Sequence, residues 1–141
     1  MAERFVIFLL GFYLGFSTFF SFVVAPVLFG TLETKAAGEV VSKIFPLYFG
    51  AATTLLALSS ILLLKEGRRK LSLLLLAAAL ISAFQEFYVL PLSEELKVTD
   101  YERFRFWHGI SMALNAVVML TAAASVLALF FGKRKEKTEK G

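Results

Sequence analysis

Four long apolar stretches, Phe5–Phe29, Ile44–Leu64, Leu71–Leu92 and Phe106–Phe131, fill most of a 141-residue chain. Each exceeds the ~18–20 residues that cross a ~30 Å hydrocarbon core at ~1.5 Å per residue. A water-soluble domain of this size has no interior for four such segments. The composition agrees, with 58% hydrophobic residues and a mean hydropathy of +0.75. The chain is therefore expected to be a polytopic membrane protein.

Hydrocarbon offers no partner for backbone N–H and C=O groups, so spans are helices or closed barrels. Barrel strands alternate polar and apolar positions over ~10 residues, whereas Leu73–Leu80 reads Leu-Leu-Leu-Leu-Ala-Ala-Ala-Leu. The expected fold is all-α: an up-down bundle of four transmembrane helices over about residues 5–29, 44–64, 71–92 and 104–131. Residues 1–132 form the membrane domain and 133–141 a basic, solvated tail. The first apolar run exceeds the 7–15 residues of a signal peptide and lacks a small-x-small cleavage site, so it reads as a retained span.

Basic residues set the orientation. Arg4, the link Lys65–Lys70 and the tail together carry ten Lys and Arg; the opposite side carries five: Lys35, Lys43, Lys97, Arg103 and Arg105. The bias predicts a cell-membrane protein with both termini in the cytoplasm. It also accounts for the net charge of +4 without a nucleic-acid partner, since the basic residues sit where the positive-inside rule places them and show no pattern of interleaved aromatics that suggests nucleic acid. The implied partners are the lipid bilayer and a second copy or another membrane protein. With no cysteine, disulfides, iron–sulfur clusters and thiolate metal sites are excluded.

The links differ. Lys65-Glu-Gly-Arg-Arg-Lys70 is a tight charged turn that makes the second and third spans antiparallel neighbours. In Thr31–Lys43, Leu32, Ala36, Val40 and Val41 recur at helical spacing with Glu33, Lys35 and Glu39 on other faces. That pattern predicts a short amphipathic helix at the outer surface. A further helix is expected to begin at Asp100. Pro26, Pro46 and Pro91 each lie near a span end, where a missing N–H costs least. Gly11-x-x-x-Gly15 permits close helix approach and is assigned to packing within the chain. No internal repeat stands out.

Polar residues inside a membrane are costly, so they are the informative ones. The third span holds Gln85 and Glu86. The fourth places His108, Ser111 and Asn115 at i, i+3 and i+7, on one face. Ser17 and Ser21 form an i, i+4 pair in the first span. Lys43 and Tyr48 bracket the start of the second, with Thr53 and Thr54 deeper. All fall in the outward half of their helices. Two readings compete: a hydrogen-bond network that fixes packing, or an outward site for a small ligand or ion. The hydroxyls of Ser17, Ser21, Ser111, Thr53 and Thr54 can bond their own helices, so they suit the first. Glu86 and His108 suit the second, and Glu86 should either pair with His108 or Lys43 or reach the headgroups.

Lys43-Ile-Phe-Pro-Leu-Tyr-Phe49 followed by His108-Gly-Ile-Ser-x-x-x-Asn115 resembles the transmembrane protein 205 family of small membrane proteins. Phe22–Phe29 and Ala37-Gly38 resemble its bacterial members. The resemblance implies a four-helix membrane domain of unestablished biochemical activity, with signature positions at Lys43, Phe45, Pro46, Tyr48, His108, Ser111 and Asn115. The chain departs before Pro91: Gln85 and Phe87 stand where Asn and Arg are expected, and Glu86 is additional.

An enzyme is not expected. Bis-histidine haem needs two histidines and the chain has one. Met112, at i+4, shares the side of His108, and Met119 lies ~16 Å below it along the same helix. No hydrolytic triad, phosphate loop or zinc spacing is present. No cofactor is assigned, and any metal is left open. The expected function is a small-ligand- or ion-binding membrane protein, as a transporter or channel subunit. The alternative is a structural or accessory protein whose polar cluster only fixes packing or assembly.

Overall fold

The computed structural model describes the backbone of every residue except 140 and the side chains of all except residues 133–140. Four long helices account for nearly all of it: α1 (Ala2–Thr31), α2 (Thr34–Lys65), α3 (Arg69–Thr99) and α4 (Tyr101–Glu139). Each is long and apolar enough to cross a membrane, α4 through its Tyr101–Gly132 portion. Among the described residues there is no strand. Each helix packs on its chain neighbours and α4 closes against α1, so α1 and α3 are diagonally opposite, as are α2 and α4. This is the expected all-α, up-down bundle of a multi-pass membrane protein.

Lipid supplies no hydrophobic drive between helices, so packing relies on small residues and polar contacts. Ala52, Ala78, Ala79 and Ala122 let the backbones close around Leu10, Leu56, Leu63, Leu75 and Leu129, all buried. The outer faces carry Phe8, Phe12, Phe22, Leu47, Leu73, Leu80 and Leu120, as lipid contact requires.

At the end bearing the termini, Gly67 terminates α2. It adopts φ +77°, and the N–H groups of Arg68 and Gly67 donate to the carbonyls of Leu63 and Leu64. This closure needs a left-handed residue, which glycine supplies without a Cβ penalty. Ser60 and Ser72 then clasp α2 to α3, each hydroxyl donating to the other's carbonyl at 2.7 and 2.8 Å. Arg68 reaches the start of α1 through a 2.7 Å ion pair with Glu3.

At the opposite end the helices outrun their hydropathy. The segment expected to lie as a separate surface helix is helical from Thr34, but it runs unbroken into the second span. Ala37 and Val41 are buried, as are Ser93 and Leu96 on α3. Of the apolar face read from the sequence only Val41 is buried; Leu32, Ala36 and Val40 stay exposed, and the side turned into the bundle is the one bearing Ala37 and Val41. Pro46 consequently sits inside α2. The links shrink to Leu32–Glu33 and Asp100. Asp100 caps α4 as expected, its carboxylate accepting from the Arg103 N–H at 3.3 Å. The tail read as solvated continues the helix to Glu139, and its side chains lie outside the described residues.

Pro26 and Pro91 each follow a π-bulge, Phe20–Val24 in α1 and Gln85–Val89 in α3. A proline ring clashes with the carbonyl four residues back, and the wider turn opens the ladder there. The bulges reveal a repeat that the sequence reading missed. Phe22-x-Val24-x-Pro26 recurs as Phe87-x-Val89-x-Pro91. The buried seam Ala52, Leu56, Ser59, Leu63 of α2 recurs at the same spacing as Val118, Ala122, Ser125, Leu129 of α4. The bundle is two similar hairpins, α1–α2 and α3–α4.

Gly11 and Gly15 are a correction. A Cβ on either would meet nothing within 4 Å, so this pair faces outward and does not pack the chain's own helices.

Candidate functional site

Each helix sends an uncharged polar group into the interior. From α2, Tyr48 is buried, and its hydroxyl donates to Oδ1 of Asn115 on α4 at 3.0 Å. This bond crosses the diagonal of the bundle. One turn before Asn115, Ser111 donates to Oε1 of Gln85 at 2.7 Å. The π-bulge that opens at Gln85 supplies the link to α3. On α1, Tyr13 and Ser17 stand one turn apart and are fully buried. The Tyr13 hydroxyl interacts electrostatically with Ser17 and Tyr48, yet no contact reaches complete hydrogen-bond geometry. Rings border this region: Phe16 lies edge-on to Tyr48 at 5.6 Å, and Phe20 is tilted against it at 5.3 Å.

The network is incomplete. Among the described residues, Tyr13 Oη, Ser17 Oγ and Gln85 Nε2 are buried without a hydrogen-bond partner. Asn115 Nδ2 reaches only the thioether sulfur of Met119, at 3.6 Å. An unmade bond at a buried polar group costs ~1–3 kcal/mol, and native interiors seldom leave one. Three such atoms, two of them on the neighbouring Tyr13 and Ser17, lie within one network. Ser59 Oγ is a fourth such atom, nearer the termini.

Of the residues singled out from sequence, Ser17, Tyr48, Gln85, Ser111 and Asn115 come together. The others do not. His108 shares the face of Ser111 and Asn115, but it lies nearer the start of α4, where it is exposed and stacked on Phe104 at 5.7 Å. Lys43 is exposed and Ser21 half-buried, and neither joins the network. Thr53 and Thr54 bond their own helix, to the carbonyls of Phe49 and Gly50. Glu86 forms an ion pair with neither His108 nor Lys43. Its carboxylate lies against α2 at Gly50, where a Cβ would stand 3.1 Å from Oε1. Lys97 pairs instead with Glu94 at 3.1 Å. Tyr13 was missed. The signal was a hydroxyl in mid-span, four residues before Ser17, which an aromatic-rich run disguised.

Among the described residues, no group of three His, Cys, Asp or Glu is placed to hold a metal. The interior offers hydroxyls and amides, which suit hydrogen bonding to a small molecule, an ion or water.

Comparison with known proteins gives a relationship without an activity. An uncharacterized protein of Aquifex aeolicus (strain VF5) is 44% identical over 131 residues, covering 93% of this chain and 98% of that protein. No solved structure matches. Residues 8–102 match the family described as "Domain of unknown function (DUF4149)", a region that includes Tyr13, Ser17, Tyr48 and Gln85 but ends before Ser111. The chain belongs to this family.

Proposed function

We propose that this protein binds a small ligand or ion in the polar network between its four helices, as a transporter or channel subunit. The observation that carries the reading is the set of three buried, unpartnered polar atoms on Tyr13, Ser17 and Gln85. A network serving only to lock helices would gain by satisfying them. The excess of basic residues at the end bearing the termini supports a cell-membrane location with that end in the cytoplasm. The network then lies in the outward half. The order of the Lys43–Phe49 and His108–Asn115 motifs supports kinship with the transmembrane protein 205 family. The proposed role is non-catalytic.

A second reading has its own support. Tyr48–Asn115 and Ser111–Gln85 join three helices, as a structural or accessory membrane protein would require. Thiol labelling separates the two, because the chain has no native cysteine. In the ligand-binding reading, Ser17→Cys and Ser111→Cys react with a small water-soluble methanethiosulfonate in intact vesicles. Failure of both to react, while both react after unfolding in detergent, would leave the packing reading standing.

A further inference from the structure

The unmet bonds of the network have a direction. Tyr48 and Ser111 spend their protons on the carbonyl oxygens of Asn115 and Gln85. The two amide acceptors are thereby engaged, and the amide nitrogens, which only donate, are left over. Gln85 Nε2 has no partner, and Asn115 Nδ2 has only a sulfur at 3.6 Å, a weak acceptor. The hydroxyls of Tyr13 and Ser17 can donate or accept, but no amide N–H reaches them. The amide donors therefore lack an acceptor within reach.

Charge narrows the class. Lys43 and His108 are exposed, so no cation stands inside to balance an anion, and a bare anion is very costly in such surroundings. Glu86, beside Gln85 in the same bulge, adds a carboxylate on the α2 side. Aromatic rings make up the rest: Phe45 lies 5.8 Å from Phe20, which contacts Tyr48 at 5.3 Å. Donors set against an apolar aromatic wall are the arrangement that holds and orients a mostly apolar ligand.

We infer that the network receives an uncharged, lipid-soluble molecule through a carbonyl-type oxygen, with Gln85 Nε2 and the Ser17 and Tyr13 hydroxyls as donors. The inference rests on the ligand-binding reading above and names the class of ligand.

The test uses the full chain purified in detergent and four probes: tetramethyl-1,4-benzoquinone, its carbonyl-free counterpart 1,2,4,5-tetramethylbenzene, potassium chloride and potassium gluconate. The quinone is expected to raise the unfolding temperature, and the hydrocarbon at equal concentration is not. Bound quinone should show its carbonyl stretch in difference infrared spectra moved to lower frequency. Ser17→Ala removes an unpartnered hydroxyl and should leave the fold intact while shrinking that shift. Gln85→Met should weaken quinone binding by about tenfold, the worth of one buried hydrogen bond. Equal stabilisation by the hydrocarbon, an unshifted carbonyl, or a response to chloride in place of quinone would overturn the acceptor assignment and leave ligand binding standing. If no probe acts although Ser17→Cys or Ser111→Cys is reactive in vesicles, this inference alone falls. If no probe acts and both cysteines are sealed, both fall.

Discussion

Tyr48 and Asn115 stand the same number of residues into α2 and α4 and meet at 3.0 Å across the diagonal of the bundle. The bond joins nearly matching levels of the two hairpins, one residue out of the register that pairs Ala52 with Val118, with Tyr48 as donor and Asn115 as acceptor. Asn115→Leu should lower stability by roughly 1–3 kcal/mol, because it orphans the Tyr48 hydroxyl in a buried site. A double-mutant cycle with Tyr48→Phe should give a coupling of about 0.5–1.5 kcal/mol, in the range found between membrane helices. Unfolding in graded detergent mixtures measures both. Strictly additive losses would mean that the bond contributes nothing.

Gly50 makes room for the Glu86 carboxylate. Any side chain there approaches Oε1 at 3.1 Å from its Cβ alone. Gly50→Leu is expected to destabilise by roughly 1–3 kcal/mol, the usual cost of overpacking. Glu86→Ala in the same chain should restore most of that loss. Absence of rescue would show that Gly50 is needed by another neighbour.

The outward pair Gly11 and Gly15 meets nothing in its own chain. Gly11→Leu and Gly15→Leu should therefore leave the unfolding of the isolated protein within about 0.5 kcal/mol of the parent. A loss above 2 kcal/mol would place both glycines against a neighbour in another copy, which crosslinking would then reveal.

Topology is best read at Val98 and Glu66. Val98 is 86% exposed, whereas Ser93, at 8%, is shielded. Val98→Cys should label from outside intact cells with an impermeant reagent and Glu66→Cys only after permeabilisation. The reverse pattern would place the termini outside and invert the charge-based orientation.

The helices were legible because runs such as Leu71–Leu92 exceed a bilayer's thickness whatever their partners. Their ends were not. Hydropathy begins at Ile44 for the second span and stops at Leu92 for the third, but both helices extend beyond those bounds, with Ala37 and Val41 on α2 and Ser93 and Leu96 on α3 buried. Polar residues in hydrocarbon must find partners, and that rule singled out Tyr48, Gln85, Ser111 and Asn115 without coordinates. It failed for His108 and Lys43, which sit where exposure relieves the requirement. A helix that is apolar all round does not declare its inner face. Tyr13 turning in and Gly11 turning out could therefore not be told apart. The repeat was hidden for a related reason: conserved geometry survives at Pro26 and Pro91, while Phe20-Ser21 and Gln85-Glu86 differ at matching positions.

The connections opposite the termini are Leu32–Glu33 and Asp100. Segments this short have no slack with which to swing aside, so no flap can serve as a door to the interior. Any molecule that enters from that side has to part the helices themselves. The ladder of backbone bonds in α1 and α3 is already widened at the two bulged turns ahead of Pro26 and Pro91. Because the bulges occupy matching positions in the two hairpins, the two diagonally opposite helices are interrupted in step.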